Sequence, residues 1–162
     1  MSRAPDFLLR EGPLNPSDAA VALIVVDRTQ YLLQLRDDKS GIFYPGHWGL
    51  FGGAIDSGET LEQGLRRELL EELGFAPREA AYFTEFTFDF APHRGERVRR
   101  RYFEVQVTAD EAANMELGEG ADLRVWDAKD LLGQEPVTPY DAMAIWMHAT
   151  RSEYDGRPRR AP

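Results

Sequence analysis

The sequence predicts a mixed α/β domain, with layers of helix around a mixed β-sheet. Three observations lead there. "AAVALIVV", residues 19–26, is an unbroken apolar run rich in β-branched residues, as expected of a buried strand. "LEQGLRRELLEEL", Leu61–Leu73, repeats leucine at 65, 69 and 73, which stacks those side chains on one helix face. "RVRRRYFEVQV", Arg97–Val107, divides into two alternating faces, as a strand does.

The remaining elements follow in chain order. "QYLLQLR", residues 30–36, reads as the strand after 19–26, with "DRT" as the turn between them. Residues 37–53, "DDKSGIFYPGHWGLFGG", are aromatic and punctuated by glycine and proline, and read as a loop with a short strand near its end. Thr60 is placed to cap the helix at 61–73, with Gln63 as its capping-box partner and Gly74 as its stop. Residues 81–90 read as a strand that "PHRGE", 92–96, turns into the strand at 97–107. "DLRVWD", Asp122–Asp127, is a short strand and "AKDLL" a helical turn. Residues 139–151 read as a final helix with Met143, Trp146 and Met147 facing inward.

Composition bounds the function. The 162 residues suggest one domain, 1–162, with a core at about 17–150 and loose termini. The absence of cysteine excludes disulfides, thiolate metal sites and a cysteine nucleophile, and it fits a reducing, cytoplasmic setting. A net charge of −9 argues against a nucleic-acid partner, because phosphate contacts need a basic surface. No apolar run approaches the ~20 residues that span a membrane. Arg157, Arg159 and Arg160 read as a solvated terminus, with a phosphate-seeking tail as the alternative. "DFLLREGPL" near the start is placed either to add a strand or to swap into a second copy, so a homodimer is a candidate state.

The helix at 61–73 carries an electrostatic oddity. At about 100° per residue, Glu68, Glu71 and Glu72 share one sector that borders the leucine stripe. Like charges so spaced repel by roughly 0.2–0.5 kcal/mol per pair. No lysine stands four residues after any of them; only Arg67, four residues before Glu71, offers relief. Clustered carboxylates with little charge relief suit a hard divalent cation, Mg²⁺ or Mn²⁺. Gly64 lies in the same sector and leaves room for a close approach to the backbone.

Residues 53–75, "GAIDSGETLEQGLRRELLEELGF", resemble the Nudix box, G-x5-E-x7-R-E-U-x-E-E-x-G-U, with U a large aliphatic or aromatic residue. Gly53, Glu59, Arg67, Glu68, Leu69, Glu71, Glu72, Gly74 and Phe75 all fit without a gap. Seven fixed positions at about 7% each make chance agreement at one start on the order of 10⁻⁸. One departure is Phe51, where many relatives place proline before the paired glycines.

The resemblance implies an α/β/α sandwich and hydrolysis of a nucleoside diphosphate linked to another group. It implies Glu68, Glu71 and Glu72 as metal ligands, joined by the Gly53 carbonyl, with Arg67 orienting a glutamate. Glu59 either joins through water or braces the loop. The general base is a box glutamate or one from a distant loop, where Glu119 is the first candidate and Glu116 the second; an ordinary loop acid is the alternative for both. On the substrate side, Arg36 is a candidate phosphate contact. Tyr44, His47, Trp48 and Phe51 are candidates to stack a base, with core packing the alternative for Trp48 and Phe51. On 97–107 one arginine set meets phosphate or both are solvated, and His93 is expected to be exposed. Pro92 is a weak cue toward ADP-ribose-like substrates.

The expectation is a metal-dependent pyrophosphohydrolase of a small nucleotide: a nucleoside triphosphate, a nucleotide sugar or an ADP-ribose-like molecule. The alternative is a catalytically weak nucleotide sensor on the same fold. Messenger-RNA decapping is disfavoured by the charge, and isoprenoid isomerisation by the missing cysteine.

Overall fold

The computed structural model describes residues 17–89 and 97–154. Their order is β1 (Ser17–Val26), β2 (Gln30–Leu35), β3 (Trp48–Gly49), β4 (Phe51–Ala54), α1 (Leu61–Leu73), β5 (Ala81–Asp89), β6 (Arg97–Val107), α2 (Ala109–Ala113), β7 (Asp122–Asp127), α3 (Ala128–Gln134) and α4 (Pro139–Tyr154). The "DFLLREGPL" segment, the 92–96 turn with Pro92 and His93, and the terminal arginines lie outside the described residues.

β1 is apolar from Ala19 to Val26 because both of its faces are covered there. Ala20, Ala22, Ile24 and Val26 pack with Leu65, Leu69 and Leu73 of α1 and with Phe103 and Val105 of β6. Val21, Leu23 and Val25 pack on the opposite side with Leu131 of α3 and Ala144 and Ile145 of α4. Helices therefore flank a mixed sheet, as the sequence predicts. β1 runs parallel to β6, from Ser17 opposite Val98 to Val26 opposite Val107. Its other neighbours, β2 and β4, are antiparallel. β5 lies on the far edge of β6, while β7 pairs with β2.

Two local features aim the sheet at the candidate site. The Asp27–Arg28 turn has positive φ at both residues, 45° and 71°, which fits the right-handed twist of a tight hairpin. β2 then pairs with β1 only at that end, and β4 takes its place opposite residues 19–22 of β1. The chain switches partners at Leu50, since β3 pairs with β2 and β4 with β1. β1 and β2 diverge there, and a cleft opens between them.

α1 has the ends its sequence implies. The Thr60 hydroxyl accepts from the Gln63 N–H at 3.2 Å, and the Gln63 side chain accepts from the Thr60 N–H at 2.8 Å. Gly74 closes the helix at φ 61°. α2 was not anticipated, although Thr108 and Glu111 form a capping box ahead of it.

α4 corrects the expected phase. Met143 and Trp146 are 46% and 51% exposed, and the buried residues are Tyr140, Asp141, Ala144, Ile145 and His148. Polar side chains face inward here because each finds a partner. His148 Nδ1 accepts from the Tyr31 hydroxyl at 2.8 Å, and its Nε2 donates to Glu104 at 2.7 Å. Among the described residues no helix is long and apolar enough to cross a membrane.

Asp141 ties α4 to the partner switch. Its Oδ2 accepts from the Leu50 N–H at 3.1 Å and from the Thr138 hydroxyl at 2.8 Å. Its Oδ1 lies 3.2 Å from the Arg100 guanidinium. Arg100 is therefore held by an anion of its own chain, which corrects the reading that both arginine sets of that strand are solvated. Asp141→Ala leaves a buried arginine without its anion, and such losses cost about 3–5 kcal/mol. Urea denaturation is expected to show a destabilisation of that order, with Asp141→Asn intermediate.

Candidate active site

Every piece of the candidate site descends from a short stretch of backbone. Gly52 has φ 120°, and a Cβ there would lie 2.2 Å from the Ala20 carbonyl oxygen, so β4 can pass β1 only with glycine at this point. Its N–H points away from β1 and donates to Glu72 Oε2 at 2.8 Å. A Cβ on Gly53 would sit 2.6 Å from the Glu68 carboxyl carbon, so Glu68 packs directly on that residue. Two carboxylates of α1 thus meet two consecutive glycines of β4.

Glu72 is the more deeply set. Burial, the Glu68 charge and the more distant Glu119 charge push its carboxyl up to about 7, against the lowering effect of the Gly52 N–H and the Gln34 amide. Glu68 is held by Arg67, whose guanidinium reaches it at 2.7 Å. The same guanidinium forks onto Glu59 at 2.8 and 3.1 Å and donates to the Ala54 carbonyl at 3.0 Å. Arg67 and Glu59 therefore brace the loop before α1 against the helix. Glu71 is set apart: its side chain is 62% exposed, and its nearest cation is Arg67 at 3.6 Å.

The loop at 116–121 closes the cleft from the other side. The Glu116 N–H donates to the Leu73 carbonyl, the Gly118 N–H to the Glu72 carbonyl at 2.7 Å, and the Ala121 N–H to the Leu35 carbonyl at 2.8 Å. These bonds place Glu119 on a cleft of about 100 Å³ with Gln34, Arg36, Asp37, Lys39, Ile42, Glu72 and Gly120. Arg36 lines that cleft while its Nε donates to the Phe43 carbonyl at 2.8 Å. A larger hollow, about 500 Å³ and lined by Phe75, Arg78, Glu104 and Glu111 among others, holds none of the box carboxylates.

Two candidate substrate contacts are corrected. Phe51 is fully buried between the sheet and α1, and Trp48 is buried against Trp126, with ring centroids 5.2 Å apart. Neither offers a face to a base. Tyr44 is half-buried and packs edge-on against His47 and Tyr140. Gly64 does admit a close approach, but the approaching group is Ile55 of the same loop, with Glu59 beside it. Sequence reading missed Gln34 and Lys39; their only signal is position, two residues before and three after Arg36.

The donor set fits a hard cation by its chemistry. It is all oxygen, and Glu72 and Glu68 are brought together against their charge. Among the described residues, no three carboxylates or histidines are gathered in cation-closing geometry, because Arg67 holds Glu68 and Glu71 stands in solvent.

The NUDIX domain model matches residues 16–146. The chain belongs to the Nudix family. The family generally uses divalent metal ions. This Nudix domain is 46% identical over 65 residues to the nucleoside triphosphatase NudI of Escherichia coli O139:H28 (strain E24377A / ETEC); the match covers 40% of this chain and 42% of that protein, less than half its length. The MutT NUDIX hydrolase from Burkholderia pseudomallei superposes with a TM-score of 0.69 at 25% identity, covering 81% of this chain and 96% of that one. The NUDIX domain of Shewanella oneidensis NrtR, crystallised with ADP ribose, superposes at 0.67 with 22% identity, covering 86% and 88%, a likeness of fold.

Two predictions concern the site without substrate. In the folded Nudix domain the Glu72 carboxyl is pushed up from its ordinary 4.5 to about 7, so the folded chain binds more protons than the unfolded one between those values. Stability without metal therefore falls as pH rises through that window and stays low above it. Glu72→Gln removes the dependence: in EDTA its advantage over wild type is expected to grow from pH 4.5 to pH 8, toward about 3 kcal/mol at most. Urea unfolding at the two pH values measures this. The neighbouring glycines should also separate: Gly52→Ala strikes backbone and lowers Tm, whereas Gly53→Ala displaces only a side chain and weakens Mn²⁺ binding in a folded protein.

Proposed function

We propose that this chain hydrolyses a pyrophosphate bond in a small nucleoside diphosphate derivative, with a divalent cation, Mg²⁺ or Mn²⁺, as cofactor. The observation that carries the reading is the half-buried Glu72, set against Glu68 on a cleft also lined by Arg36, Lys39 and Glu119. Carboxylates and cations line the same cleft, as a charged anhydride with its cation requires.

Glu68, Glu71 and Glu72 would hold the cation, together with the Gly53 carbonyl. When bound, such an ion neutralises phosphate charge and lowers the pKa of attached water. The protein's own groups do the rest. Arg67 orients Glu68 and fixes the loop that follows Gly53. Arg36 and Lys39 draw the phosphates to the cleft mouth. Glu119 faces the cleft from a loop pinned to both α1 and β2, where it can accept the proton of the attacking water. Trp48 and Phe51 serve as packing beneath the site.

A nucleoside triphosphate is the first substrate to test, because the NudI relative is named for that activity. Nucleotide sugars and ADP-ribose-like molecules follow. A phosphate-release screen over these classes with Mg²⁺ and Mn²⁺ is expected to find turnover. Glu71→Gln and Glu72→Gln should each lower kcat by ~10²-fold or more, as loss of a metal ligand does. Wild-type rates in both variants would sink the ligand assignment. Nucleotide binding without turnover of any class would favour the sensor reading.

A further inference from the structure

We propose that Gln34 is a positioning residue: its side-chain amide, on the floor of the cleft, fixes the Glu72 carboxylate and sets the affinity for the divalent cation. The inference rests on the metal-dependent reading of the site.

Strand geometry makes Gln34 conspicuous. Side chains on β2 alternate, so Gln34 shares a face with Leu32, which lies in the core against α1. Another leucine would continue that core. Gln34 is instead only 6% exposed, one of few polar side chains buried among the described residues. A buried amide without partners costs free energy, so its surroundings should show what it meets. To its sides are Gly49 of β3 and Leu123 of β7, which offer its amide no side-chain polar group.

The polar contact lies ahead. Gln34 Nε2 donates to Glu72 Oε1 at 3.4 Å, a long hydrogen bond. Glu72 Oε2 is taken by the Gly52 N–H at 2.8 Å. One donor comes from β2 and the other from β4, so the carboxylate is gripped from both strands that border the cleft. The amide oxygen faces the Glu119 loop: a Cβ on Gly120 would lie 2.9 Å from Gln34 Oε1, so only glycine leaves room for it there. Gln34 therefore touches both acidic walls of the cleft. Groups that hydrogen-bond to metal-ligating carboxylates orient them, and their loss typically costs 10–100-fold in metal affinity or activity.

The test uses Gln34→Met, which keeps length and loses the donor, and Leu32→Met on the same face as a packing control. Mn²⁺ binding is measured without nucleotide by the loss of the free-ion paramagnetic resonance signal, and turnover is measured separately. Gln34→Met is expected to raise the Mn²⁺ dissociation constant about tenfold and to lower kcat, with KM for nucleotide nearly unchanged. Leu32→Met should alter neither. If Gln34→Met fails to fold, Gln34→Ala, which opens room for water, is measured instead. A folded variant with wild-type Mn²⁺ affinity and kcat overturns the role of Gln34 and leaves the metal reading standing. Wild-type protein that takes up no Mn²⁺ overturns both.

Discussion

Glu72 sits where a carboxylate is least comfortable, half out of water and beside another carboxylate, and the surrounding architecture is arranged to keep it there. The Gly52 N–H that holds it is placed where β4 passes β1 too closely for any side chain. That crossing in turn needs β1 to accept β4 on the flank from which β2 has diverged. The constraint runs from strand pairing to a single backbone donor, and from there to one side chain of α1. Arg67 is the counterpart on the loop side, joining Glu59, Glu68 and the Ala54 carbonyl through one guanidinium. A lysine has one charged nitrogen and could not hold three partners in that plane.

The two faces of the sheet divide the labour. Between the sheet and α1, Leu65, Leu69 and Leu73 anchor the helix so that its acidic sector meets β4. On the other face Asp141 accepts from the Leu50 N–H, a backbone donor at the partner switch that the β-ladders leave over. An unpaired buried N–H there would loosen the segment leading into Gly52 and Gly53. The buried Asp141–Arg100 pair, far in sequence from the box, is thus mechanically close to it.

Much of this is legible in the residues, and the failures have physical causes. The leucine stripe and the capping box of α1 read directly, because burial and local hydrogen bonding both act at short range. The phase of α4 did not. Met143 and Trp146 are more apolar than Asp141 and His148, yet the latter are buried, because Leu50, Arg100, Tyr31 and Glu104 reach them from other strands. Hydrophobicity ranks side chains against water; it cannot see a partner more than forty residues away. Gln34 escaped notice for the same reason, since nothing near it in sequence marks its contact with Glu72. For Trp48 and Phe51 the sequence leaves base stacking and core packing both open, and short strand pairings decide it by pulling both rings inward.

The acidic sector shows how a cofactor can be written into stability. Raising a carboxyl from 4.5 to about 7 means that the folded chain, at neutral pH and without metal, carries a charge it would rather shed. A helix selected for stability alone would replace Glu72 with glutamine or leucine. On the proposed metal-binding reading a divalent cation would change the comparison, because it would bind the folded state and find no assembled site in the unfolded one. Binding then adds RT ln(1 + [M]/Kd), about 2.7 kcal/mol at a hundredfold excess over Kd. That is comparable to the penalty of the strained carboxyl. The burial of Glu72, with the Glu68 charge added, would then be more than a cost tolerated for chemistry: it would leave the metal-free fold poised so that an ion supplies part of its stability. By the same linkage, whatever disturbs Glu72 must appear twice, in the affinity for the cation and in the pH dependence of unfolding without it.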